Sequence, residues 1–174
     1  YNTYYKKHIT MMFSMNPQAD IYKNFDKNII VSEKFHPELI EEARHLNVKC
    51  DNKYKFLIIS DDYVDSSIKG NPEITRCMTI GRNAGLSSVW SFQGRTLINP
   101  VGRAQVNFIC IFKQNTNREW KNVVEEFLEN WLPIEMTMAE KIAFCVEATK
   151  DYQFFFIDQI VGECYLTKLS KSQI

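Results

Sequence analysis

Four largely apolar runs constrain this chain more than any other feature. Ile9–Met15, Phe56–Ser60, Ser88–Phe92 and Val106–Phe112 have the length of strands and are bounded by polar or turn residues. Asn28–Val31 is a shorter candidate. None of them alternates cleanly between apolar and polar residues. A strand with one wet face has to alternate, so continuous runs predict strands covered on both sides, in a mostly parallel sheet flanked by helices.

The intervening segments carry matching helical signals. Ser32 and Glu33 precede Pro37 at a first turn, followed by Leu39, Ala43 and Leu46 at i, i+4 and i+7. Asn71-Pro72 opens a second helix through Ile74 and Met78 to Arg82, with Gly85 as its stop. Asn117–Leu132 presents Trp120, Val123, Val124, Phe127, Leu128 and Trp131 on one stripe and ends at Pro133, and Thr137–Thr149 reads as a further helix. Gln153–Ile157 and Cys164–Leu169 return to strand character around Gly162, as a hairpin would. The expectation is a three-layer α/β fold ending in a helical pair and a β-hairpin, in one domain spanning all 174 residues.

Composition excludes several classes. The 21 basic and 21 acidic residues cancel, so any polyanion contact must come from a few residues or from a ring of subunits. No apolar run approaches the length of a transmembrane helix, and no signal-peptide pattern is present. The five cysteines are scattered and never form a Cys-x-x-Cys pair, which fits a reducing, intracellular setting and neither a zinc site nor a disulfide framework. Cys110, Cys145 and Cys164 sit among apolar neighbours and are expected to be buried. His8, His36 and His45 share no metal-ligand spacing with carboxylates. Trp120, Phe127 and Trp131 read as core or subunit contact, and Phe154-Phe155-Phe156 as buried strand. Lys6-Lys7 and Lys168 to Lys171 are short basic patches of the kind usually solvated.

The residues that can carry chemistry follow the strands. Asp61 and Asp62 end the run beginning at Phe56, so they leave the sheet at the carboxyl edge where α/β folds bind ligands. Phosphoryl transfer from a nucleoside triphosphate needs a carboxylate near Mg²⁺ and a second group that orients the attacking water. Adjacent strand residues point to opposite faces, so a bend at the strand end has to redirect one carboxylate, which supports separate roles, Asp61 toward the metal shell and Asp62 toward the water; an ordinary Asp-Asp turn is the other reading. Gln93 ends the next strand, where its amide can donate to a γ-phosphate oxygen and accept from water. Arg82 closes the second helix, and Arg95 and Arg103 lie in the irregular segment Gly94–Ala104. Arg103, between Gly102 and the next strand, is the best placed to reach a neighbouring subunit's γ-phosphate; Arg95 reads as a contact to polyanion or solvent.

Taken in order, these pieces resemble a known family. Ile58-Ile59-Ser60-Asp61-Asp62, Gly81-Arg82-Asn83, Ser91-Phe92-Gln93 and Asn99-Pro100-Val101-Gly102-Arg103 are similar to the successive motifs of the genome-packaging ATPases of nucleocytoplasmic large DNA viruses, poxvirus type, in the FtsK–HerA branch of P-loop ATPases. The strand from His8 to Ser14 with Asn16-Pro17 after it resembles the second strand of that family's core.

The resemblance implies a RecA-like P-loop core, ATP and Mg²⁺ as cofactors, Asp61 at the metal's water shell and Asp62 as catalytic carboxylate. Gln93 would be the polar sensor, and Arg103 and Arg82 would act on a neighbour's nucleotide in a homo-oligomeric ring. ATP hydrolysis would then drive double-stranded DNA into a capsid, in the host cytoplasm or the virion, alongside capsid or virion membrane proteins. Two departures stand out. Asn83 occupies the place of a frequent His, and no Gly-x-x-x-x-Gly-Lys-Ser/Thr occurs. The chain is therefore expected to be a fragment that lacks the first strand, P-loop and first helix, and to be inactive alone. A cellular FtsK/HerA-type translocase and a non-catalytic α/β binding domain are the alternatives.

Overall fold

The computed structural model describes residues 8–22, 29–62, 68–93 and 97–168. Asn28, Lys6-Lys7, Lys171, Gly94 and Arg95 lie outside them. The chain forms two compact units, Tyr1–Gln105 and Val106–Ile174.

The first unit is built on a four-stranded sheet. It contains β1 (His8–Ser14), β2 (Ile29–Ser32), β3 (Lys55–Asp61) and β4 (Leu86–Trp90), all parallel, in the order β2-β1-β3-β4. Helices α1 (Pro37–Lys49) and α2 (Pro72–Ile80) connect the strands. Pro37 and Pro72 stand in the first turns, where a missing N–H costs nothing, and Asn71 caps α2 by accepting from the Glu73 N–H at 2.9 Å. Met11, Phe13, Phe56 and Ile58 from the sheet bury against Ile40, Ala43, Ile74 and Cys77. Burial of each such aliphatic or aromatic side chain contributes about 1.5–3 kcal/mol. Glu73, itself buried, accepts from Arg44 at 3.2 Å and ties the two helices together.

Gly85 sets where β4 starts. It holds φ +70°, ends the 3-10 turn Gly81–Ala84, and accepts at its carbonyl from the Phe56 N–H at 3.0 Å. Pairing with β3 thus begins at once, and β4 starts two residues earlier than the Ser88–Phe92 expected from hydropathy alone. In the loop that follows, Asn99 caps a one-turn helix, α3 (Pro100–Arg103), which docks on α2 through Gly102. A Cβ at Gly102 would meet the Met78 sulfur at 2.9 Å, so a larger residue there would make the Met78 side chain shift.

The second unit contains β5 (Phe108–Ile111), α4 (Asn117–Val123), α5 (Met138–Ala148), β6 (Gln153–Asp158) and β7 (Glu163–Lys168). Its three strands form an antiparallel sheet in the order β5-β6-β7. The hairpin at Gly162 is present, but β5 pairs with β6 and does not extend the parallel sheet. Capping boxes at Thr116/Glu119 and Thr137/Glu140 start the two helices. The stretch expected as one helix to Leu132 changes pitch: α4 passes into a π turn at Val124–Leu128 and a 3-10 turn at Glu129–Trp131. Trp120, Val124 and Leu128 stay fully buried, whereas Trp131 emerges to 40% exposure. Cys145 is buried as expected, but Cys110 is exposed, because β5 turns Ile109 and Ile111 to the core and Phe108 and Cys110 outward.

Candidate functional site

The site is set by two neighbouring strand ends. β3 and β4 run parallel with Ser60 opposite Trp90, and the Ser91 N–H extends the ladder by donating to the Ser60 carbonyl at 2.8 Å. Asp61, Asp62 and Gln93 consequently leave the sheet at the same edge. Asp61 is still strand, whereas Asp62 has turned to φ 47°, the left-handed region that Asp tolerates better than most residues. This is the bend that separates the two carboxylates. Gln93 then reaches across from the next strand, and its Nε2 donates to Asp62 Oδ1 at 2.5 Å. Beneath this edge Phe13, Phe35, Trp90 and Phe92 form an edge-to-face and stacked aromatic cluster, with centroids 5.1–6.2 Å apart, which provides a rigid floor.

Asp61 has a partner that the sequence reading missed. Tyr22, from the 3-10 turn Asp20–Tyr22, donates its hydroxyl to Asp61 Oδ2 at 2.5 Å. Its oxygen also lies 3.1 Å from Ser14 Oγ, on the β1 residue in register with Asp61. Burial, and then the hydrogen bond to Asp61, hold the Tyr22 phenol above its ordinary value, so it remains a donor at neutral pH. The contact joins residues 39 apart with no motif between them; its only trace in the sequence is a tyrosine soon after a strand that could neighbour β3.

Arg82 makes no contact with this group among the described residues. Arg82 is exposed on the 3-10 turn that feeds the amino end of β4, so a strand's length separates it from Asp62 and Gln93. Two buttresses hold that turn: Asn47 Nδ2 donates to the Ala84 carbonyl at 2.6 Å and Asn52 Nδ2 to the Asn83 carbonyl at 2.9 Å. Arg103 ends α3 and donates from Nη1 to the Ile98 carbonyl at 2.5 Å, bracing its own loop. The Asn-Pro-x-x-Arg pattern is thus a capped single turn, with Asn99 accepting from the Val101 N–H at 2.9 Å.

The donor set suits one kind of metal. Among the described residues no cluster of three or more His, Cys, Asp or Glu could enclose an ion. Two adjacent carboxylates, one still offering Oδ1, match Mg²⁺, which keeps most of its waters and takes one or two protein carboxylates together with substrate phosphates. Asp61 would hold it through its water shell, with Asp62 left to orient a water, and Mg²⁺ would neutralise charge on the phosphates. The buried Cys77 lies apart in the core; burial pushes its thiol up to about 12, which makes it inert.

A four-stranded parallel sheet followed by an antiparallel three-stranded unit is a fold that this chain has in common with solved viral genome-packaging NTPases. It is shared with B204, the DNA-packaging ATPase of Sulfolobus turreted icosahedral virus, with a TM-score of 0.66 and 16% identity over 94% of this chain and 84% of that one. B204 from Sulfolobus turreted icosahedral virus 2 shares it too, with TM-scores of 0.63 for its complex with AMP and 0.62 for that with AMPPCP, at 16% and 17% identity and the same coverage. No protein-family model matches the sequence, and no curated protein matches it. Among the described residues no helix is long and apolar enough to cross a membrane.

Proposed function

We propose that this chain is the hydrolytic domain of an ATP-driven, double-stranded-DNA translocase that packages a viral genome, of the FtsK–HerA type. The observation that carries this reading is the Gln93–Asp62 hydrogen bond at the carboxyl end of a central parallel strand, in a fold shared with B204. A carboxylate held by an amide can orient a water, and the same amide can exchange that partner for a γ-phosphate oxygen, which links hydrolysis to the bound nucleotide. Asp61 serves the water shell of Mg²⁺. Arg82, at the other end of β4 from the carboxylates, and Arg103 act on the nucleotide of a neighbouring subunit in a ring. The motor works in the host cytoplasm or the virion.

The test is ATP hydrolysis by the full-length protein with and without duplex DNA. Hydrolysis stimulated by DNA is expected, with a fall of at least about 10²-fold in Asp62→Asn at an unchanged melting temperature. A variant as fast as the parent would remove Asp62 from the chemistry and favour a binding domain.

A further inference from the structure

The carboxylate assigned to the metal shell ends a chain of four groups whose hydrogen-bond directions are determined. The Tyr22 phenol has one proton, and it goes to Asp61 Oδ2 at 2.5 Å. The 3.1 Å contact between Tyr22 and Ser14 must therefore run the other way, with the serine hydroxyl donating to the phenol oxygen. Ser14 Oγ in turn accepts from the Asn16 N–H at 3.2 Å. Read from its start, the relay passes from Asn16 N–H to Ser14 O–H to Tyr22 O–H to Asp61 Oδ2. All the donors point toward the carboxylate, so each bond polarises the next.

Both ends of the relay are anchored. Ser14 is 3% exposed and lies in the β1–β3 ladder opposite Asp61, and Asn16 is backbone in the turn that leaves β1. Among the described residues Asp61 Oδ1 accepts nothing, so the relay takes one carboxylate oxygen and orients the other.

We propose that Tyr22 is a positioning residue for Asp61, aimed by Ser14, and that it sets how tightly the site takes a divalent cation with its nucleotide. This inference rests on the ATPase reading above. Partners of this kind, one bond removed from a metal's ligands, govern affinity by fixing ligand orientation.

The experiment uses the full-length protein and Mn²⁺ as a spectroscopic stand-in for Mg²⁺, titrated with ATP-γS present and followed by electron paramagnetic resonance. Tyr22→Phe should weaken Mn²⁺ binding about tenfold while the melting temperature without metal stays that of the parent. Ser14→Ala should weaken it less. The double variant should be no worse than Tyr22→Phe, because a relay cut next to its end gains nothing from a second cut. Parental binding in Tyr22→Phe, or losses that add and track a falling melting temperature, would overturn the inference. If Tyr22→Phe does not fold, Ser14→Ala decides alone: weaker binding at unchanged stability supports it, and unchanged binding overturns it. A parent protein that binds no Mn²⁺ with nucleotide would overturn the ATPase reading, and this inference with it.

Discussion

Asp62 carries two properties in one residue, a charge and an unusual backbone. Its φ of 47° favours side chains that tolerate the left-handed region, and Asn shares that tolerance while Ala does not. Asp62→Asn should therefore unfold in urea near the parent's midpoint, whereas Asp62→Ala should lose about 1 kcal/mol on top of its activity. Equal stabilities would mean that the turn relaxes without cost. Asp61, Asp62 and Gln93 are legible in the sequence because the Asp pair and Gln93 directly follow apolar runs, a purely local signal. Tyr22 and Asn47 could not, since each acts across the fold: Tyr22 on a carboxylate 39 positions away, and Asn47 on a carbonyl 37 positions away.

The elements show how far local pattern reaches. Apolar runs mark every described strand of the parallel sheet, yet hydropathy puts the start of β4 two residues late, because a left-handed glycine decides it. The run at β5 looked the same as the others, and nothing in it distinguishes a partner in the hairpin from one in the parallel sheet. The pitch change after α4 was equally hidden, because helical and π turns share their residue preferences. Among these elements the turn Gly81–Ala84 is the most constrained. Asn47, 1% exposed, donates to the Tyr54 and Ala84 carbonyls at 2.9 and 2.6 Å and accepts from the Tyr54 N–H at 2.9 Å. A Cβ on Gly85 would meet its Nδ2 at 2.7 Å and the Tyr54 carbonyl at 2.8 Å. Asn47→Ala, which strands these three backbone groups, should cost roughly 3 kcal/mol, and Gly85→Ala should also destabilise. Denaturant midpoints of both variants check this, and a neutral Asn47→Ala would show that water replaces the amide.

At the scale of the whole molecule, the α/β class was legible because strands and helices alternate, while the division at Gln105 was not, since no linker composition marks it. Exposed Arg82 and the carboxylate edge lie at opposite ends of β4, roughly 16 Å apart for five strand residues. A subunit damaged at one end thus keeps the other intact. On the proposed reading, mixing Asp62→Asn with Arg82→Ala subunits in equal amounts should restore ATPase activity above that of either variant alone, since about a quarter of head-to-tail junctions would regain a sound carboxylate facing a sound arginine. A mixture no better than its components would confine Arg82 to its own chain. A strand's length between two charged groups thus becomes intersubunit complementation, which a simple mixing curve can read.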